Sequence, residues 1–250
     1  MIRDITIGQY YKADSVIHRL DPRVKLMGTL IFIISLFMGM NIWIYAVVTV
    51  ALAVVIKMSR IPLKFMVRGL KSIVILIIIS AVFNLFLTPG DVLIQIWKLT
   101  ITYQGLKMAI FMVVRLIYLI VGTSLMTLTT TPNNLTDGLE KGLGFLKVIK
   151  VPVHEIAMMM SIALRFIPIL IEETDKIMKA QMARGADFEN GNLIKRAKAM
   201  VPILVPLFVS AFRRANELAM AMEARCYHGS EGRTKMKPLK YEKRDRIAYI

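Results

Sequence analysis

The residues with most to offer chemically are two arginines. Arg184 closes the phrase Ala180-Gln181-Met182-Ala183-Arg184-Gly185, and Arg225 closes Ala221-Met222-Glu223-Ala224-Arg225-Cys226. These are two copies of Ala-x-x-Ala-Arg-(small), offset by 41 residues. A guanidinium stays charged at any physiological pH and presents a planar fork that suits a carboxylate. The alanines beside it let another backbone approach closely. The chemistry on offer is therefore recognition: a trimmed helix end enters a groove and delivers one cation to an acid there. One such terminus alone is an ordinary helix ending, since alanine favours helix and arginine suits the negative end of the helix dipole. The repetition makes a candidate pair of docking ends, with Ala180, Ala183, Arg184 and Gly185 on one and Ala221, Ala224, Arg225 and Cys226 on the other. Cys226 stands where the first copy has Gly185, which disfavours the left-handed backbone that closes many helices.

Other chemistries lack their residues. Gly229-Ser230-Glu231-Gly232-Arg233-Thr234 has the wrong spacing for a phosphate loop and an arginine in place of its lysine. No metalloprotease or serine-hydrolase motif occurs, and His18, His154 and His228 are spread over three regions. The single cysteine, Cys226, excludes an intrachain disulfide. Glu172-Glu173-x-Asp175 lies on a lysine-interleaved helix face and reads as solvated. No catalytic set, metal site or directly bound cofactor is expected.

The elements that must position the two arginines are all helical. A chain of 250 residues with 56% hydrophobic residues and a mean hydropathy of +0.58 is too apolar for an ordinary soluble domain. It reads as an all-α, polytopic membrane protein with four or more spans. A net charge of +16 could suggest nucleic acid, but the basic residues flank apolar runs, as they do on the cytoplasmic side of membrane proteins. The expected partner of the surface is the lipid bilayer, not nucleic acid. Residues 1–131 form the transmembrane region, with spans near 22–40, 42–58, 72–90 and 105–131. The first two should turn tightly near Gly39-Met40-Asn41, leaving Trp43 and Tyr45 at an interface. Lys57, Arg60, Lys64, Arg68 and Lys71 follow with no acid between them, which places that loop and the amino terminus in the cytoplasm of a cell-membrane protein. Arg115 lies about 15 Å along the fourth span from Gly105, near mid-membrane, and is a functional candidate by default. No acid lies in the four spans, so its expected partner is a backbone carbonyl, water or another subunit.

Residues 132–232 differ in character. A short amphipathic piece precedes a long helix from Pro152 to Arg184 and a second from Leu193 to Arg225, each running into a glycine-bearing acidic turn (Asp187, Glu189; Glu231). His154, Glu155 and Arg165 interrupt the first helix and Pro168 is expected to break it, so both helices are placed at the cytoplasmic boundary. Residues 233–250 form a basic connector and the start of a further apolar segment. A secondary transporter or channel is the rival reading, but it needs ionisable pairs and inverted repeats in the spans. A membrane enzyme is a weaker rival, lacking any assembled catalytic set.

Together, the lead-in His18-Arg19-Leu20-Asp21-Pro22-Arg23, the four spans and the two Ala-Arg helix ends resemble the transmembrane T component of energy-coupling factor (ECF) transporters. The resemblance implies a coupling subunit, not an enzyme, that transmits motion to a substrate-binding membrane S component for uptake of a vitamin or other micronutrient. It implies that Ala183-Arg184-Gly185 and Ala224-Arg225-Cys226 each dock one of two ATP-binding cassette ATPase subunits, which hold the ATP. It also implies two long and one short coupling helices.

Overall fold

A computed structural model describes the chain except residues 1–9, 40, 97–98, 187, 189–192, 230–235, 237 and 249–250. Asp187, Glu189 and Glu231 of the acidic turns lie outside the described residues. Two compact units result, one from Gly142–Pro238 and the other from Gly8–Lys141 with Leu239–Ile250.

In the second unit the helix starts are written locally. Asp21 caps α1 (Pro22–Phe37), its carboxylate accepting the Arg23 N–H at 2.9 Å, with Pro22 in the first turn where its missing N–H costs nothing. Asn41 caps α2 (Ile42–Ser59) in the same way through Trp43 N–H. Helix α3 (Leu63–Leu87) is bent by 61° between Leu63–Lys71 and Ile73–Leu87. A hairpin of β1 (Val92–Ile96) and β2 (Leu99–Thr102) follows, antiparallel with Ile96 opposite Leu99. Thr102 then caps α4 (Tyr103–Thr129) through Gly105 N–H, and α5 spans Pro132–Gly142. Leu52, Ile61, Met66, Val121, Leu125 and Leu128 form a core cluster. Helices α1 and α4 meet closely at Gly122, where a Cβ would come within 2.4 Å of the Phe32 ring.

The outward faces are as apolar as the core. Trp43 is 76% and Ile75 72% exposed, and Ile31, Phe37 and Val47 also point outward. Such surface is untenable in water over this extent and suits lipid. Helices α2 and α4 are long and apolar enough to cross a bilayer, and so is α3 if its two parts form one bent span. The protein is a multi-pass membrane protein.

The lead-in is fastened by a polar clasp. Asp245, 2% exposed in the short helix α8 (Lys243–Ile247), accepts the Asp21 N–H and the Glu242 N–H, each at 2.8 Å. Arg23 donates to the Leu239 carbonyl at 3.1 Å and lies 4.8 Å over the Tyr241 ring. Lys25 Nζ donates to the carbonyls of His18 and Thr129. His18 Nε2 donates to the Tyr11 carbonyl at 3.0 Å, which leaves Nδ1 to accept from the Ser15 hydroxyl at 2.7 Å. Burial of this imidazole pushes its pKa below the ordinary value, favouring the neutral ring that this bonding uses.

The first unit holds a 3₁₀ stretch (Leu143–Ile149), α6 (Val153–Ala183) and α7 (Leu193–Glu223). Both long helices have 31 residues, about 46 Å at 1.5 Å per residue. Pro168 was expected to break the first of them but lies inside continuous helix. Proline removes one N–H bond, a loss that a long helix in an apolar setting tolerates. By length and apolarity α6 also qualifies as a span, in spite of His154, Glu155 and Arg165.

Candidate functional site

The two Ala-Arg phrases end α6 and α7 with the same backbone. At the first end, Arg184 N–H donates to Gln181 O at 3.0 Å, Gly185 N–H to Met182 O at 2.9 Å and Ala186 N–H to Gln181 O at 3.0 Å. At the second end, shifted by the 41-residue repeat, Arg225 N–H donates to Met222 O at 3.1 Å, Cys226 N–H to Glu223 O at 2.8 Å and Tyr227 N–H to Met222 O at 3.1 Å. This is the Schellman closure, which satisfies the last carbonyls of a helix and needs a left-handed residue directly after the cap. Gly185 takes that role with φ +90° and Cys226 with φ +55°.

Cys226 therefore corrects the expectation that a cysteine would avoid the left-handed backbone. Two closing hydrogen bonds outweigh a steric cost of about 1–2 kcal/mol for a side chain in this region. Cys226→Gly is expected to relieve that cost. The local opening of the α7 end should become about 1 kcal/mol less favourable, and hydrogen–deuterium exchange of the Cys226 and Tyr227 amides in the membrane-reconstituted chain should slow accordingly. Unchanged exchange would mean that the position carries no strain.

All eight candidate docking positions, Ala180, Ala183, Arg184, Gly185, Ala221, Ala224, Arg225 and Cys226, are exposed. Among the described residues neither Arg184 nor Arg225 makes an ion pair. Each guanidinium is thus carried on a closed helix end, exposed and without an ion-pair partner among the described residues. The closure uses only main-chain groups, so the side chains are left for recognition.

Arg115 is elsewhere and otherwise engaged. It is half-buried on α4, its Nε donates to the Tyr45 hydroxyl at 3.0 Å, and its guanidinium lies 5.1 Å from the Phe37 ring. Within this chain its partners are a hydroxyl and an aromatic face, which the expectation of a carbonyl, water or another subunit did not include. Tyr45, expected at an interface, is 6% exposed and packs edge-on against Phe111 with ring centroids 5.0 Å apart. The buried hydroxyl gives the arginine a hydrogen-bond acceptor without an acid in the span. The buried Asp245 and the Glu173–Arg214 ion pair between α6 and α7 (3.3 Å) are the polar features that motif reading passed over.

Comparison with known proteins agrees with this arrangement of apolar helices. Residues 13–236 match the CbiQ family, described as cobalt transport proteins. The chain is 58% identical over 252 residues to the energy-coupling factor transporter transmembrane protein EcfT of Clostridium kluyveri, covering 100% of this chain and 93% of that protein. It is 57% identical over 249 residues to the protein of the same name from Thermosediminibacter oceani, with 100% and 94% covered. For that of Bacillus subtilis the identity is 48% over 246 residues, with 98% and 93% covered. Identity of this extent, over helices built to face lipid, has one meaning for descent: the chain belongs to the family of transmembrane components of energy-coupling factor transporters.

Proposed function

We propose that this chain couples two ATP-binding cassette ATPase subunits to a substrate-binding S component in the cell membrane, importing a vitamin or other micronutrient. The observation that carries the reading is the duplicated helix end: the same closure, the same exposed arginine and the same two alanines before it, presented twice. A partner with one groove would need one such end; two equivalent ends suit two like-folded subunits. Each arginine would meet an acidic groove in one ATPase, and closure of the ATPases on ATP would pull the two ends. Nucleotide is held by those subunits, and no residue of this chain acts in hydrolysis.

Orientation follows from charge. Lys57 in the last turn of α2, Arg60 at its cap and Lys64 in the first turn of α3 are basic with no intervening acid, which favours the cytoplasm for that junction. In this reading the apolar first half of α6 lies in or against the bilayer. Its second half, from Glu172 to Arg184, projects into the cytoplasm with charged residues on its surface.

The test is the composition of the native complex. Purified from its own membrane through an affinity tag on this chain, the complex should contain two nucleotide-binding subunits per chain and one further small membrane protein. A chain that purifies alone and transports without ATP would sink the proposal in favour of a secondary transporter.

A further inference from the structure

The repeat also aligns residues far from the helix ends. Shifting by 41 positions maps Glu172-Glu173 of α6 onto Arg213-Arg214 of α7. Glu173 and Arg214 are the two residues that meet, with Arg214 Nη2 donating to Glu173 Oε2 at 3.3 Å. When a residue touches its own equivalent and the two helices run antiparallel, the copies are related by an approximate twofold operation whose axis passes near the contact, as at an isologous interface. A second contact supports this antiparallel sense: Gln181, further along α6, donates to the carbonyl of Pro202, earlier along α7.

A duplicated helix faces an electrostatic problem on such an axis. Identical copies would bring glutamate against glutamate or arginine against arginine. Here the two copies carry opposite charge at the axis, and they keep identical residues at Ala180/Ala221, Ala183/Ala224 and Arg184/Arg225. The pair is partly buried, with side chains 27% and 36% exposed, and Arg214 Nε is buried without a hydrogen-bond partner among the described residues. Bonding to Glu173 is therefore the main directional restraint on this guanidinium. Each tip arginine lies eleven residues beyond its member of the pair, roughly 16 Å along the helix. A small change of angle at the pair is carried to both tips by equal arms.

We propose that Glu173 and Arg214 are a positioning pair on the pseudo-twofold axis of α6 and α7, fixing their crossing and hence the spacing of the Arg184 and Arg225 ends. The geometric part stands without any partner; its consequence for transport rests on the coupling function proposed above. A polar contact at the axis sets direction and register more than it adds stability, since ion pairs this exposed contribute little.

Two readouts test the pair. For the first, spin labels go on the repeat-equivalent exposed positions Lys179→Cys and Met220→Cys in a Cys226→Gly background, and double electron–electron resonance gives the distance distribution in the full chain in nanodiscs. Glu173→Gln and Arg214→Gln should each broaden or shift that distribution, and the exchange Glu173→Arg with Arg214→Glu should restore it. For the second, the reconstituted complex with unlabelled variants should keep both ATPase subunits while substrate imported per ATP falls at least about fivefold in each single variant, recovering in the exchange. Single variants that fail to fold, with a folded exchange variant, would be rescue and would support the pair. Unaltered distances in both single variants, or an exchange variant that recovers neither distance nor coupling, would overturn it. Failure of the wild-type complex to contain ATPases would refute the coupling function instead, and the distance measurement would still decide the pair.

Discussion

Replacing both Arg184 and Arg225 by alanine is expected to abolish ATP-driven uptake, and each single replacement to weaken ATPase docking. Truncating one side of a charge pair buried in an interface costs about 2–5 kcal/mol, because the partner acid is left desolvated and unpaired. Loss of one end also removes bivalency: the second contact is no longer made at the high effective concentration that the first one creates. Folding should be spared, since both side chains are exposed and the Schellman bonds at 2.8–3.1 Å join main-chain atoms only. Arg→Lys at both ends separates charge from shape. Lysine keeps the cation but not the planar fork, so uptake should fall between wild type and the alanine pair. The measurement is uptake in proteoliposomes together with the amount of ATPase that co-purifies. Normal uptake by the double alanine variant would remove the arginines from the mechanism.

The parts of this architecture written in neighbouring residues could be read without coordinates. Asp21-Pro22 announces the start of α1, Asn41 the start of α2, and the apolar stretches between charges announce membrane helices. The paired ends were legible because duplication makes a signal that composition cannot make by chance. What escaped depends on residues distant in the chain or on competing local terms. With no acid in the spans, the expected partner of Arg115 is a carbonyl, water or another subunit, whereas the fold supplies the Tyr45 hydroxyl, 70 positions away. The hairpin was hidden because four- and five-residue strands carry little periodicity, although Leu99-Thr-Ile-Thr102 alternates as a strand does. Cys226 was misjudged because propensity was weighed without the hydrogen bonds that closing the helix returns. Glu173 and Arg214 each look like ordinary surface charges, and only superposing the repeat on the contact gives them meaning.

Asp245→Ala is the second large effect expected, and it acts on stability, not docking. The carboxylate sits 224 residues from the Asp21 amide it accepts from, and its other oxygen holds the Glu242 amide. At 2% exposure the carboxylate is shielded from water, and alanine would leave the buried Asp21 N–H and the part-buried Glu242 N–H without acceptors. A buried orphan costs about 1–3 kcal/mol and a part-buried one less, so the clasp should weaken by roughly 2–4 kcal/mol, much of it local to the 239–248 segment. Asp245→Asn separates the contributions: the amide keeps one accepting oxygen and turns an NH2 toward the other donor, so its loss should be smaller but not zero. In detergent or nanodiscs the alanine variant should show faster protease cleavage near Leu239–Lys243 and faster amide exchange at Asp21 and Glu242. The ends of α6 and α7, in the other compact unit, should exchange as in wild type. Cleavage and exchange indistinguishable from wild type would mean that α8 is held by something other than its buried carboxylate. A loss spread evenly over both units would mean that the lead-in supports the whole molecule and not only its own end.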